Sequence, residues 1–137
     1  MPSLTVRQDG PLTLVELPDG IDVDPAVQWR IYRQRLALFH THGELRQRVI
    51  YYGNIGSLDM RAARFACGAD FARITAHKVI VLESALNRTF AHMMLTLNKP
   101  AFTVSTALSL EQARTRLLSE LPADAGDSTL AASIKGR

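Results

Sequence analysis

Between His77 and Leu118 the apolar positions change period three times, with polar punctuation at each change. Lys78 to Leu82 is a run of mainly β-branched residues, the pattern of a strand buried on both faces. Ser84 then caps a helix whose apolar residues recur at helical spacing as far as Asn98, and Pro100 stops it. Phe102 to Ser105 returns to strand character. Ser109, with Gln112 three residues on, is a capping-box start for a last helix reaching Leu121.

The same reading extends toward the N-terminus. Leu4 to Arg7 and Leu12 to Leu17 are short β-rich runs separated by Asp9-Gly10-Pro11, a hairpin signal. Asp24-Pro25 opens a helix, with aspartate as N-cap and proline in the first position, that runs to about His42 and stops at Gly43. Arg48 to Tyr52 is a third strand, followed by a loop containing Gly53, Asn54 and Gly56. Ser57 or Asp59 caps a second helix continuing to about Thr75, in which Gly68 weakens the middle by about 1 kcal/mol relative to alanine. The order β-β-α-β-α-β-α-β-α predicts one α/β sandwich over residues 1–121. It should hold about five mostly parallel strands, an antiparallel N-terminal edge and four helices. Past Pro122 no periodic apolar face remains, and 122–137 is expected to be a flexible tail.

Two helices carry more apolar surface than one sheet face needs. At about 100° per residue, Val27, Ile31 and Leu38 form one stripe of the first helix, and Trp29, Tyr32, Leu36 and Phe39 form another on the opposite side. In the third helix Leu86, Phe90, Met93, Met94, Leu95 and Leu97 cover well over half the circumference. Trp29, Tyr32, Leu36, Phe39, Phe90, Met93 and Met94 are therefore candidates for a homodimer interface, a protein partner or an apolar ligand. Met93-Met94 suits an adaptable apolar surface.

Composition narrows the classes. A chain of 137 residues suits one domain and can bury roughly two-thirds of its unfolded surface without disulfides or metal. The single cysteine, Cys67, excludes an internal disulfide framework and reads as a buried thiol in a reducing compartment. Met1 to Asp9 lacks a signal-peptide pattern, and no apolar run approaches the roughly 18 residues that cross a bilayer. A cytoplasmic protein without a membrane span is expected. The net charge of +3 is spread along the chain. Its nearest cluster, Arg30, Arg33, Arg35, Arg46 and Arg48, is interleaved with core-like residues and reads as a solvated face, so no nucleic-acid partner is expected.

Chemistry is sparse. His40, His42, His77 and His92 lack the spacing and acidic neighbours of a metal site. There is no Gly-x-Ser-x-Gly elbow. The loop from Gly53 to Gly56 precedes a helix and makes Asn54 and Ser57 a candidate anion or phosphosite loop, without dinucleotide-binding or Walker spacing. No catalytic residue, cofactor or metal is predicted.

Val79-Ile80-Val81-Leu82, Ser84-Ala85-Leu86 and Leu95-Thr96-Leu97-Asn98-Lys99-Pro100-Ala101-Phe102, with Val49 to Arg64 before them and Glu111 to Leu118 after, carry a resemblance. The chain from Leu12 to Leu121 resembles the SpoIIAA-like, or STAS-like, small bacterial α/β domains, relatives of anti-sigma-factor antagonists and of the lipid-binding Sec14 fold. The resemblance implies a non-enzymatic regulatory domain that acts by association as a homodimer. The Sec14 side of it implies, alternatively, a binding module for a small apolar molecule or lipid. Members that work as phosphorylation switches carry an Asp-Ser-Ser/Thr-Gly-like turn directly after the third strand. Here that place reads Tyr51-Tyr52-Gly53-Asn54, with no hydroxyl suited to that reaction.

Overall fold

The computed structural model describes residues 3–121; the tail expected over 122–137 lies outside the described residues. Strands β1 (Thr5–Asp9) and β2 (Leu12–Glu16) form a hairpin with Asp9 opposite Leu12. Gly10 has φ 60° and Pro11 fixes the next φ negative, the combination of a type II′ turn. Then follow β3 (Asp22–Val23), α1 (Pro25–Thr41), β4 (Gln47–Tyr52), β5 (Ser57–Leu58), α2 (Met60–Ala66) and α3 (Ala69–Ala72). The described fold finishes with β6 (Thr75–Val81), α4 (Ala85–Leu97), β7 (Thr103–Ala107) and α5 (Leu110–Ser119).

The main sheet has the order β1-β2-β4-β6-β7, with β1 antiparallel at one edge and every other pairing parallel. This is the expected α/β architecture of five strands and four helices, α3 being a single turn that continues α2. Each crossover steps in the same direction along the sheet. Right-handed connections of that kind put all their helices on one face. Burial agrees: Ile31 and Tyr32 of α1 share a cluster with Val15, Val49, Tyr51, Phe71 and Ile74. On the opposite face Ala113 and Leu117 of α5 pack on Leu12, Leu14, Ile50, Val79 and Val81.

The two apolar stripes expected on α1 turn out to be the flanks of one broad buried face. Gln28 and Arg35 fill the gap between them, and both are buried with Ile31 and Tyr32. Tyr32 therefore belongs to the core, and Leu36 and Phe39 pack against it, so these three do not form a free second surface. The basic cluster is corrected for the same reason: Arg35 lies inside, while Arg48 is half-buried and pairs with Glu120 at 3.6 Å.

The second helix also differs from expectation. Asp59 is its cap, accepting from the Arg61 and Ala62 N–H groups at 2.7 and 3.3 Å, while Ser57 lies in β5. The helix breaks at Gly68, which becomes the N-cap of α3, so that Phe71 and Ile74 drop into the core under α1. The next strand consequently begins at Thr75, three residues before Lys78. Sequence reading also missed the small parallel ladder pairing Asp22 with Ser57 and Val23 with Leu58. Among the described residues no helix is long and apolar enough to cross a membrane.

Candidate functional site

Helix α4 is tied down at its two ends and stands off the sheet between them. At its start the Ser84 hydroxyl accepts from the Asn87 N–H at 3.0 Å, and Arg88 donates to the Leu82 carbonyl at 3.2 Å. At its end the Asn98 amide donates to the Met94 carbonyl at 3.1 Å and to the Met60 sulfur at 3.3 Å. Met94 is the only buried residue of the helix. Beneath it lies a cavity of about 140 Å³.

Each neighbouring element gives this cavity part of its wall. Phe90, Ala91, Met94 and Leu95 of α4 form the roof, and Tyr51, Lys78 and Ile80 form the floor. Ala63 and Ala66 on α2, and Cys67 just after it, present small side chains, which leaves the space open. Gln28 and Ile31 of α1 and the loop from Gly53 to Ile55 complete the wall. That loop passes close to the segment after β2. Gly20 donates to the Asn54 carbonyl at 2.7 Å, and a Cβ at Gly53, whose φ is 133°, would collide with the Leu17 carbonyl. Asn54, Asn87 and Phe90 are exposed and mark the mouth.

The interior is apolar except at its base. Lys78 is only 8% exposed, with its ammonium 4.2 Å from the centre of the Tyr51 ring. Among the described residues it has no carboxylate or hydrogen-bond partner, so the ring face is its one compensating contact. Arg35 is fully buried beside the same tyrosine. Its guanidinium donates to Gln47 Oε1 and Thr75 Oγ1, both at 2.6 Å, and to Tyr51 Oη at 3.1 Å. All of these acceptors are neutral. The buried polar groups among the described residues thus include two cations and no carboxylate. Gln28 Oε1, also buried, has no hydrogen-bond partner. Burial pushes the Cys67 thiol up from its ordinary range, and the nearby Lys78 charge opposes this only in part.

Of the residues singled out from sequence, Phe90 and Met94 line the cavity, while Met93 is exposed. Trp29 is half exposed on α1 and stacks on Tyr32, with 5.4 Å between ring centres. Asn54 borders the cavity. Ser57 does not; its hydroxyl donates to Asp22 Oδ1 at 2.8 Å. Lys78, Gln28 and Cys67 were missed as site residues. A signal for Lys78 was present: a lysine inside a strand buried on both faces must carry its ammonium into the interior.

A second polar cluster lies on the α5 face. His77 Nδ1 is 2.7 Å from Glu120 Oε2, and His77 Nε2 is 2.8 Å from Ser105 Oγ. Arg116 donates to Ser105 Oγ at 3.0 Å and to the Thr106 carbonyl at 2.7 Å. With the proton on Nδ1 facing the carboxylate, Nε2 accepts from the serine hydroxyl and every group is satisfied. The order is that of a nucleophile, a base and its orienting acid. The histidine, however, is buried between α5 and the sheet, and Arg116 occupies the serine oxygen, so the network ties the end of α5 to β6 and β7. Among the described residues no three of His, Cys, Asp and Glu stand together as a metal-binding group. Compared with protein-family models, with curated proteins and with solved structures, the chain matches none.

Proposed function

We propose that the chain is a non-enzymatic binding module that takes one small, largely apolar molecule in the cavity beneath α4. The observation that carries this reading is the cavity itself, apolar in its walls, with Phe90 and Met94 in its roof. Apolar cavities of roughly 150 Å³ hold a benzene-sized molecule. A binder is favoured over a catalyst because burial raises the pKa of the thiol in the cavity, which lowers the share of its nucleophilic form at neutral pH. The reading agrees with the Sec14 side of the STAS-like resemblance. It would make the module a sensor or carrier, with α4 as the element that responds.

The test uses 2-phenylethanol as a neutral probe. Thermal melting should rise with probe concentration, and alkylation of Cys67 should slow as the cavity fills. Met94→Trp, which fills the same space, should abolish both effects. A wild-type protein whose melting and alkylation ignore the probe at millimolar concentration refutes the reading.

A second reading, association as a homodimer, is favoured by one observation. Leu86, Met93 and Leu97 lie on α4 at 78, 50 and 62% exposure. Apolar residues grouped in this way on one helix suit a partner surface. Light scattering after size-exclusion chromatography would show a dimer that Met93→Glu dissociates. A monomer at tens of micromolar ends this second reading.

A further inference from the structure

We infer that the molecule in the cavity is a small monocarboxylate, whose carboxylate pairs with the Lys78 ammonium and whose apolar body lies against Ile80, Phe90 and Met94. This rests on the reading of the cavity as a ligand site and specifies its chemistry. An ammonium withdrawn from water costs several kcal/mol unless it is paired. Lys78 lies on the inner face of a central strand, has lost nearly all its solvent, and faces an aromatic ring with no anion. Arg35 satisfies its donors on neutral oxygens, so its charge is not cancelled either and adds to the positive potential around Tyr51. No acidic residue lines the cavity. One anion entering from the mouth would neutralise this excess.

Gln28 points to the same head group. Its Oε1 is buried in the cavity wall without a donor. The Nε2–H groups of the same amide, which carry no hydrogen bond to the described residues, are donors for one carboxylate oxygen, leaving the other for Lys78. Two donors in the lining of an otherwise largely apolar cavity select a compact anion on an apolar body. The size of the cavity sets the body at about a phenyl ring or a six-carbon chain.

Calorimetric titration of the whole chain with phenylacetate and with 2-phenylethanol separates head group from body. Phenylacetate is expected to bind at least about 10-fold more tightly, the scale of one charge-assisted pair. Lys78→Met should remove that advantage and leave the alcohol within about 3-fold of its wild-type affinity. The same substitution should leave the empty protein as stable as the parent or more so, because it removes an unpaired buried charge. If acid and alcohol bind the wild type equally, the head-group assignment is wrong and the apolar cavity stands. If neither binds, both fall. The ratio on the unaltered chain decides the question should Lys78→Met fail to fold.

Discussion

Arg35 ties two strands to α1 at one point, and its position explains why it is inside. Its donors reach the start of β4 through Gln47, the end of β4 through Tyr51 and the start of β6 through Thr75. Gln47 in return donates to the Arg35 carbonyl at 2.8 Å. Replacing Arg35 by alanine strands these buried acceptors and should cost about 3–5 kcal/mol, measured as a lower urea midpoint. Arg35→Lys should recover little of this, because an ammonium cannot serve acceptors set for a planar fork. Gln28 predicts the opposite behaviour. Its Oε1 has no donor, so Gln28→Met should melt at or above the wild-type temperature, by up to about 1–2 kcal/mol, while weakening any polar ligand. Neither residue was legible in sequence. An apolar stripe is recognised by its apolar members, and Gln28 and Arg35 are the polar centre of a buried face. They split that face into two apparent stripes.

At the scale of elements, caps and breakers were legible because each acts within a few residues. Asp24 and Ser109 cap their helices as expected, accepting from the Val27 and Gln112 N–H groups at 2.9 and 3.1 Å. Gly43 follows α1 at φ 82°. The break at Gly68 was visible only as a weakness, because its outcome depends on burying Phe71 and Ile74, a tertiary gain. The cavity was half legible. Excess apolar surface on the helix after Ser84 pointed to it, but the small residues of α2 that leave it open read as ordinary helix formers. Its wall also depends on a close approach that sequence hides. Gly53 combines positive φ with a backbone contact to Leu17, so Gly53→Ala should lower stability by about 1–3 kcal/mol. Gly68→Ala has a negative φ and ordinary contacts at 3.4 Å or more, and should stay within about 1 kcal/mol of the parent. Equal losses for the two in chemical denaturation would contradict this account of the loop.

For the whole molecule, titrating groups on three parts of the fold set a window of stability. Glu16 on β2 accepts from Thr5 of β1 and from the Tyr52 hydroxyl on β4, at 2.7 and 3.1 Å. The Thr5 bond chiefly, then the Tyr52 bond and the Arg7 charge, hold its carboxyl below the ordinary 4.5. Asp59 is likewise lowered, first by the Arg61 N–H at the start of α2. A carboxyl lowered by folding contributes stability that is complete above its unfolded pKa and is lost as pH falls through the folded one. The acid limb should therefore lie below about pH 4.5. Tyr52 is raised above its ordinary 10.0, mainly by its hydrogen bond to Glu16, and Cys67 above its ordinary 9.0 by burial. For these the neutral form is the folded one, so their contribution is present below the unfolded pKa and disappears as pH rises through the folded value. Stability should be flat from about pH 5 to 8.5 and fall on both sides. Tyr52→Phe distinguishes the shared hydrogen bond from general charge repulsion. It removes one partner of Glu16 and one alkaline titration together, so unfolding free energy measured across pH should lose slope at both ends while the plateau persists. An alkaline limb unchanged by Tyr52→Phe, yet flattened by Cys67→Ala, would assign that limb to the cavity thiol alone.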